Sequence, residues 1–361
     1  MQEKAKVELN KKVILVTGAA GFIGSCLVIR LLKETKESLI IGVDNLNDYY
    51  DVNLKLYRLN SIGDASKNSL SRWRFVKGSI ADKQLINGLF SEYMPSVVVN
   101  LAAQAGVRYS IDHPDAYIET NIVGFYNILE ACRHYPVEHL VYASSSSVYG
   151  GNKKVPFSVD DKVDNPVSLY AATKKSDELL AHAYSKLYDI PCTGLRFFTV
   201  YGPAGRPDMF YYSAACRLID GKKIKIFNYG NCTRDFTYIN DIVEGVFRVM
   251  QGAPLRAAGD DDLPVAPYEV YNLGGGKPEN LLDFINILQE ELLRTGLLPE
   301  NFDFEAHREL VGMQPGDVPL TYADCSALEE DYGFRPEIDI RHGLRAFVEW
   351  YRDYRAKGMN N

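Results

Sequence analysis

Tyr170-Ala171-Ala172-Thr173-Lys174 puts a phenol and an ammonium four residues apart. On a helix those two positions share a face. A cation beside a phenol favours the phenolate, the form that accepts a proton. Upstream, Ser144-Ser145-Ser146-Ser147 offers a run of hydroxyls that can donate to a substrate oxygen. A phenol activated in this way can serve as a general base. With 24 tyrosines in 361 residues, however, the Tyr-x-x-x-Lys spacing also arises by chance, as a solvated surface pair. It carries weight only if the rest of the chain delivers it to a ligand site.

The elements that would deliver it follow a βα rhythm. Val13-Ile14-Leu15-Val16 is a continuous apolar run, the signature of a parallel strand buried on both faces. It feeds Thr17–Gly24, where Gly18, Gly21 and Gly24 form G-x-x-G-x-x-G, followed by a predicted helix over Ser25–Lys33. Glycines allow a tight turn and close approach of a pyrophosphate, which the free amides of the helix N-terminus then receive. A second strand, Leu39–Val43, ends in Asp44, roughly 20 residues beyond the last glycine, where an acid accepts a ribose hydroxyl. A carboxylate there repels a 2′-phosphate, so NAD is expected rather than NADP.

Three further runs, Arg74–Gly78, Val97–Leu101 and His139–Ala143, read as strands, and Cys192–Phe198 as a sixth. Between them, helical period marks the stretch from after Asp82 to Tyr93, then Asp115–Tyr135 and Tyr170–Tyr188, and Asn45–Arg74 reads as a helix with a mobile loop around Gly63–Ser71. The pattern predicts an α/β fold, a Rossmann-type doubly wound parallel sheet with ligands at the C-terminal strand ends. From Thr199 the pattern changes. Residues 1–200 are expected to form the NAD-binding domain, with returning segments near 236–250 and 268–274, and the remainder of 201–361 a smaller mixed α/β substrate domain, including a helix over Leu281–Leu293.

Composition narrows the function classes. A net charge of −7 supplies no basic surface for nucleic acid. No apolar run approaches the ~20 residues that span a bilayer, and the polar stretch Met1–Lys12 is no signal peptide. The six cysteines contain no C-x-x-C pair, which argues against zinc sites and disulfide frameworks and suits a reducing cytoplasm.

Taken together, T-G-x-x-G-x-x-G, the acid at 44, S-S-S-S-V-Y-G, Y-x-x-x-K and R-D-F at 234–236 resemble the extended short-chain dehydrogenases that act on nucleotide sugars. The resemblance runs from Val13 to about Tyr351. A-A-Q-A-G-V-R at 102–108, R-P-D-M at 206–209 and M-Q-P-G-D-V-P at 313–319 look like UDP-glucuronic acid 4-epimerases. That family implies a tightly held NAD regenerated each turnover, a UDP-sugar substrate, and a homodimer pairing the helices near 115–135 and 170–188 into a four-helix bundle. With the strand-end placements, the candidate NAD contacts are Gly18, Gly21, Phe22, Ile23, Gly24, Asp44, Asn45, Ser79, Ile80, Leu101, Ala102, Ala103, Gln104, Asn121, Tyr170 and Lys174. Relatives often carry Asp where Ser79 stands, which weakens Ser79 as an adenine ligand.

The resemblance also assigns chemistry. Tyr170 is the expected base, Lys174 its activator and a ribose contact, and Ser145 the donor to the oxygen that becomes a ketone. Ser146 and Ser147 stand where related 4,6-dehydratases carry Asp-Glu, and Ser147 where UDP-glucuronate decarboxylases carry Glu. Neutral hydroxyls there favour simple epimerisation. Ser146, Ser147 and Thr199 are candidate donors to the sugar carboxylate, Arg108 and Arg206 its candidate charge partners. Arg234 is the candidate diphosphate contact and Asp317 the uridine-ribose acceptor. Gln314 replaces the arginine of UDP-galactose epimerases. The expectation is UDP-glucuronate to UDP-galacturonate interconversion. Its rivals are a 4-epimerase of UDP-N-acetylglucosamine or its uronic acid, a decarboxylase, and a non-catalytic nucleotide-sugar-binding regulator.

Overall fold

The apolar runs form one parallel sheet. In the computed structural model, which describes residues 3–259, 264–313 and 318–358, its strands are β1 (Val13–Thr17), β2 (Leu39–Asp44), β3 (Arg72–Lys77), β4 (Val97–Asn100), β5 (His139–Ser145), β6 (Cys192–Phe197) and β7 (Tyr268–Leu273). Their order is β3-β2-β1-β4-β5-β6-β7, and every neighbouring pair is parallel. β4 and β6 are buried at every residue, as their unbroken apolar runs require. β3, at the edge, alternates instead, with Arg72 and Arg74 outward.

Helices cover both faces. α1 (Phe22–Glu34) and α2 (Val52–Ser66) lie on one side, α3 (Lys83–Tyr93), α4 (Phe125–His134) and α5 (Leu169–Tyr188) on the other. The strands therefore split their side chains. Ile14 and Val16 of β1 join Leu27, Val28 and Leu54, while Leu15 joins Ile86, Phe90 and Ile128. The strand order reverses between β1 and β4, and a crevice opens at their C-terminal ends.

The remaining chain builds on the first face. Thr199–Tyr201 pairs with Thr233–Tyr238, which pairs with Pro278–Asn280. Ile224–Ile226 pairs with Arg308–Leu310. Around them lie α6 (Phe210–Ile219), α7 (Ile239–Val249), α8 (Leu281–Arg294) and α9 (Ile340–Ala356). α7 packs against α1, with Arg30 bridging to Glu244 at 2.8 Å. The apolar core runs without a break from β1 through Tyr201 and Tyr211 to Phe347 and Tyr354. The Trp350 indole of α9 donates to the Tyr57 hydroxyl of α2 at 3.0 Å.

Several boundaries differ from the sequence reading. α1 starts at Phe22 rather than Ser25, because Gly24 lies inside the helix and packs on the turn before it. A Cβ at Gly24 would come within 2.1 Å of the Gly18 carbonyl oxygen. α2 runs through Gly63, an open position, so the loop expected from 63 shrinks. The single helix expected over 115–135 is instead Pro114–Tyr117, a π-helical stretch over Ile118–Gly124, and then α4. Among the described residues, no helix is long and apolar enough to cross a membrane.

Candidate active site

The crevice is a cleft of about 1150 Å3. One half is shaped by backbone. Thr17, the last residue of β1, donates from Oγ1 to Asn100 Oδ1 at 2.6 Å and accepts from the Ala102 amide at 3.1 Å. This draws the ends of β1 and β4 together, so that Gly18, at φ +67°, has no room for a side chain: a Cβ would lie 2.8 Å from the Ala102 nitrogen. α1 begins at Gly21 without a side-chain cap and with no acid in its first turn. Its leading amides and positive dipole end are left to an anion. Asp44, at the end of β2, is held by the Ala20 amide at 3.0 Å and the Leu46 amide at 2.9 Å. A glycine turn, an uncapped helix start and an acid at the next strand end fit a dinucleotide, with the ribose at Asp44 and the pyrophosphate on α1.

Arg58 fastens this half to the next. Buried on α2, its guanidinium donates to the carbonyls of Ala20, Ala204 and Gly205 at 2.9–3.0 Å and to the Tyr50 hydroxyl at 2.6 Å. It thus ties the glycine turn to the loop that carries Arg206. Lys55 also lines the cleft; burial lowers its pKa while the nearby Asp44 opposes the shift.

The other half is shaped by side chains. β5 runs out into a one-turn 3-10 helix over Ser146–Tyr149, capped by the Ser145 hydroxyl, which accepts from the Ser147 amide at 3.1 Å. Ser145, Ser146 and Ser147 line the cleft. Ser144 also touches it, yet its hydroxyl is spent on Glu178 Oε1 at 2.7 Å. Glu178 in turn is gripped by Arg196 at 2.8 and 2.9 Å. Burial disfavours the Glu178 charge, but the arginine wins and keeps its carboxyl below the usual range. This buried pair locks α5 to β6 beneath the serine turn.

α5 starts at Ser168, whose hydroxyl accepts from the Ala171 amide at 3.1 Å, and so fixes the orientation of its first turns. Tyr170 stands half-buried, edge-on to the Tyr117 ring at 6.0 Å. Lys174, one turn on, is buried. Its ammonium donates to the Ala143 carbonyl at 2.9 Å and to Asp177 Oδ2 at 3.1 Å. Across the cleft, the Arg206 guanidinium forks onto Asp208 at 3.0 and 2.5 Å. Asp208 also accepts from the Tyr49 hydroxyl at 3.2 Å. Desolvation works against the Asp208 carboxylate, yet the adjacent Arg206 holds it below the usual range. Burial and Asp208 together push the Tyr49 phenol up to about 12. Two of the five N–H donors of Arg206 are engaged this way, and the residue lines the cleft.

The cleft gathers every candidate read from the sequence except two. Asn121 does not line it. Its buried amide bonds the Gln104 backbone at 2.8 and 3.1 Å and Thr173 Oγ1 at 3.0 Å. This fastens the wall behind the cleft, because the π-helical stretch turns Asn121 inward. Asp317, like Gln314, lies outside the described residues. Arg108 stacks on Phe227 at 4.9 Å, apart from the Arg206–Asp208 pair. Arg234 lines the cleft with its guanidinium on the Thr233 and Pro319 carbonyls. The Ser79 hydroxyl accepts from the Ala81 amide at 3.1 Å. Sequence reasoning missed Tyr49, Arg58 and Asp208, whose partners are remote or set by loop shape. It also missed Asp177, whose i,i+3 spacing from Lys174 was a usable signal.

Residues 14–274 match the model of the NAD dependent epimerase/dehydratase family. The chain belongs to this family. Among curated relatives of this epimerase/dehydratase, Protein CapI of Staphylococcus aureus is 47% identical over 95% of this chain and 99% of its own. UDP-glucuronate 4-epimerase 2 of Arabidopsis thaliana is 42% identical, over 99% of this chain and 80% of its own. Among solved structures, UDP-glucuronic acid 4-epimerase from Bacillus cereus, in complex with UDP-glucuronic acid and NAD, superposes with a TM-score of 0.81. It is 33% identical, covering 94% of this chain and 99% of that one. The family is NAD dependent, and the glycine turn, uncapped helix start and Asp44 of the backbone-lined half fit such a dinucleotide.

Proposed function

We propose that the enzyme interconverts UDP-glucuronate and UDP-galacturonate by oxidising carbon 4 to a ketone and reducing it from the opposite face. NAD, when bound, supplies the acceptor and then the donor of the hydride. Tyr170 takes the proton from the 4-hydroxyl and later returns it. Ser145 donates to the same oxygen. Lys174 keeps a positive charge near the phenolate. Arg234 pairs with the diphosphate. Asp317 is kept as the proposed uridine-ribose acceptor.

The observation that carries the choice of sugar is the substrate-side wall. Ser146, Ser147 and Thr199 line the cleft, as do Asp112 and Asp208, of which Asp208 is bound to Arg206. A 4-keto glucuronate is a β-keto acid. It loses carbon dioxide when the bond to its carboxylate aligns with the carbonyl π system. Hydroxyl donors and an arginine can hold that carboxylate out of alignment, and the two positions of the serine turn where related dehydratases carry acids are Ser146 and Ser147. The 4-epimerases named among the relatives support the same reading.

A second copy of the chain is part of the proposal. Ile118 and Val123, before α4, and Leu179 and Leu187 on α5 are exposed. α4 and α5 pack together, so these apolar side chains suit a four-helix bundle. Six unpaired cysteines suit a reducing cytoplasm. The test is to incubate the purified protein with UDP-glucuronate and resolve the products by proton NMR. UDP-galacturonate is expected; UDP-xylose or a UDP-4-keto-pentose as main product overturns the proposal.

A further inference from the structure

α5 carries two buried acid–base pairs in successive positions, and they are not alike. Glu178 is saturated: both oxygens meet Arg196, with Ser144 and Lys175 as further donors. Asp177, one residue earlier, has a single side-chain partner, Lys174, at 3.1 Å. Its other oxygen, Oδ1, is enclosed with no hydrogen-bond partner. The two side chains are 2% and 3% exposed. A buried carboxylate with an unsatisfied oxygen costs stability, so the fold alone does not account for it. It does sit on the ammonium that stands one turn from Tyr170.

We propose that Asp177 is a positioning residue that pins the Lys174 ammonium between itself and the Ala143 carbonyl and offsets part of its charge, moderating how strongly Lys174 favours the Tyr170 phenolate. This rests on Tyr170 acting as the base. An ammonium has three donors; Asp177 and Ala143 take two, and the third is left for the cleft. The other charged and titratable groups nearby are engaged elsewhere. Glu178 and Lys175 share α5 with it, and Glu178 is committed to Arg196 of β6. Tyr142 of β5 and Tyr268 of β7 hydrogen-bond each other at 2.9 Å. Tyr117 and Arg206 act on Tyr170 from the cleft side. Burial pushes the Asp177 carboxyl up to about 6 against the pull of Lys174. As pH falls through that value, Asp177 takes up a proton and Lys174 loses its counter-charge.

Asp177→Asn removes the charge and keeps an acceptor for Lys174. Turnover of UDP-glucuronate is followed against pH, with a thermal melt to verify folding and Asp177→Ser as a second neutral variant. The acidic limb of kcat is expected to move to lower pH by about one unit in both. An independent readout needs no turnover: the near-ultraviolet phenolate absorption of Tyr170, taken as the difference from Tyr170→Phe in each background, should appear at correspondingly lower pH. An unmoved profile, an alkaline shift, or a uniform loss of rate at every pH overturns the proposal and leaves Asp177 a packing residue. If the wild-type protein does not turn over UDP-glucuronate, the proposed function fails while the phenolate titration still decides the role of Asp177.

Discussion

Where the cleft meets the glycine turn, its wall is main chain, with amides at the start of α1, carbonyls fixed by Arg58 and a φ of +67° at Gly18. Where it meets the serine turn, its wall is side chain held by side chain: Ser145 on Ser147, Lys174 on Asp177, Arg206 on Asp208. The first half fits a phosphate and a ribose through main-chain geometry that few substitutions can reproduce. The second holds its charges in pairs that a single mutation can re-tune. Under the proposed function, the cofactor would sit against main chain and the fate of the oxidised sugar would depend on side-chain pairs.

That contrast predicts unequal responses. The largest is at the proposed base: Tyr170→Phe should lower kcat by roughly 10²–10⁴-fold, with UDP-glucuronate binding by calorimetry retained. Loss of binding together with rate would place Tyr170 in the architecture rather than the chemistry. Next comes the main-chain half. Gly18→Ala forces a Cβ to within 2.8 Å of the Ala102 nitrogen and strains a left-handed backbone, at a cost of about 1–3 kcal/mol. The purified variant should carry less NAD, measured by releasing the nucleotide from denatured protein. Full NAD occupancy would mean that this seat is softer than the geometry implies. The smallest effect belongs to a charge pair of the side-chain half. Arg206→Lys keeps the charge but loses the fork, so KM for UDP-glucuronate should rise roughly tenfold and KM for a neutral UDP-hexose should hardly move. Equal changes for both would detach Arg206 from the sugar carboxylate.

The same contrast explains what the sequence could tell. The glycine turn, the strands and Asp44 are legible because each is a local pattern: a spacing, an apolar run, an acid at a strand end. Placement of Ser145, Tyr170 and Lys174 at one cleft follows from the family resemblance together with strand-end logic. Pairings are not local. Nothing in R-P-D-M says that Arg206 forks onto Asp208, or that Tyr49, far upstream, meets the same carboxylate. Asn121 reads from the sequence as a candidate cofactor contact within a helix expected over 115–135. The π-helical stretch adds a residue per turn and points its amide into the wall instead. Ser144 and Ser145 are neighbours of one type, yet alternation along β5 sends one to Glu178 and the other to the cleft. α9 escaped notice because its aromatic pattern becomes meaningful only once Tyr57 and Tyr212 are beside it.

The central claim is that carbon 4 is oxidised and re-reduced within one cleft while the carboxylate stays in place. UDP-glucuronate deuterated at carbon 4, incubated with the protein in ordinary water, tests it directly by NMR of the product. The account predicts UDP-galacturonate that keeps deuterium at carbon 4 and all of its carbon. Washout of the label, or a UDP-pentose formed with release of carbon dioxide, would contradict it.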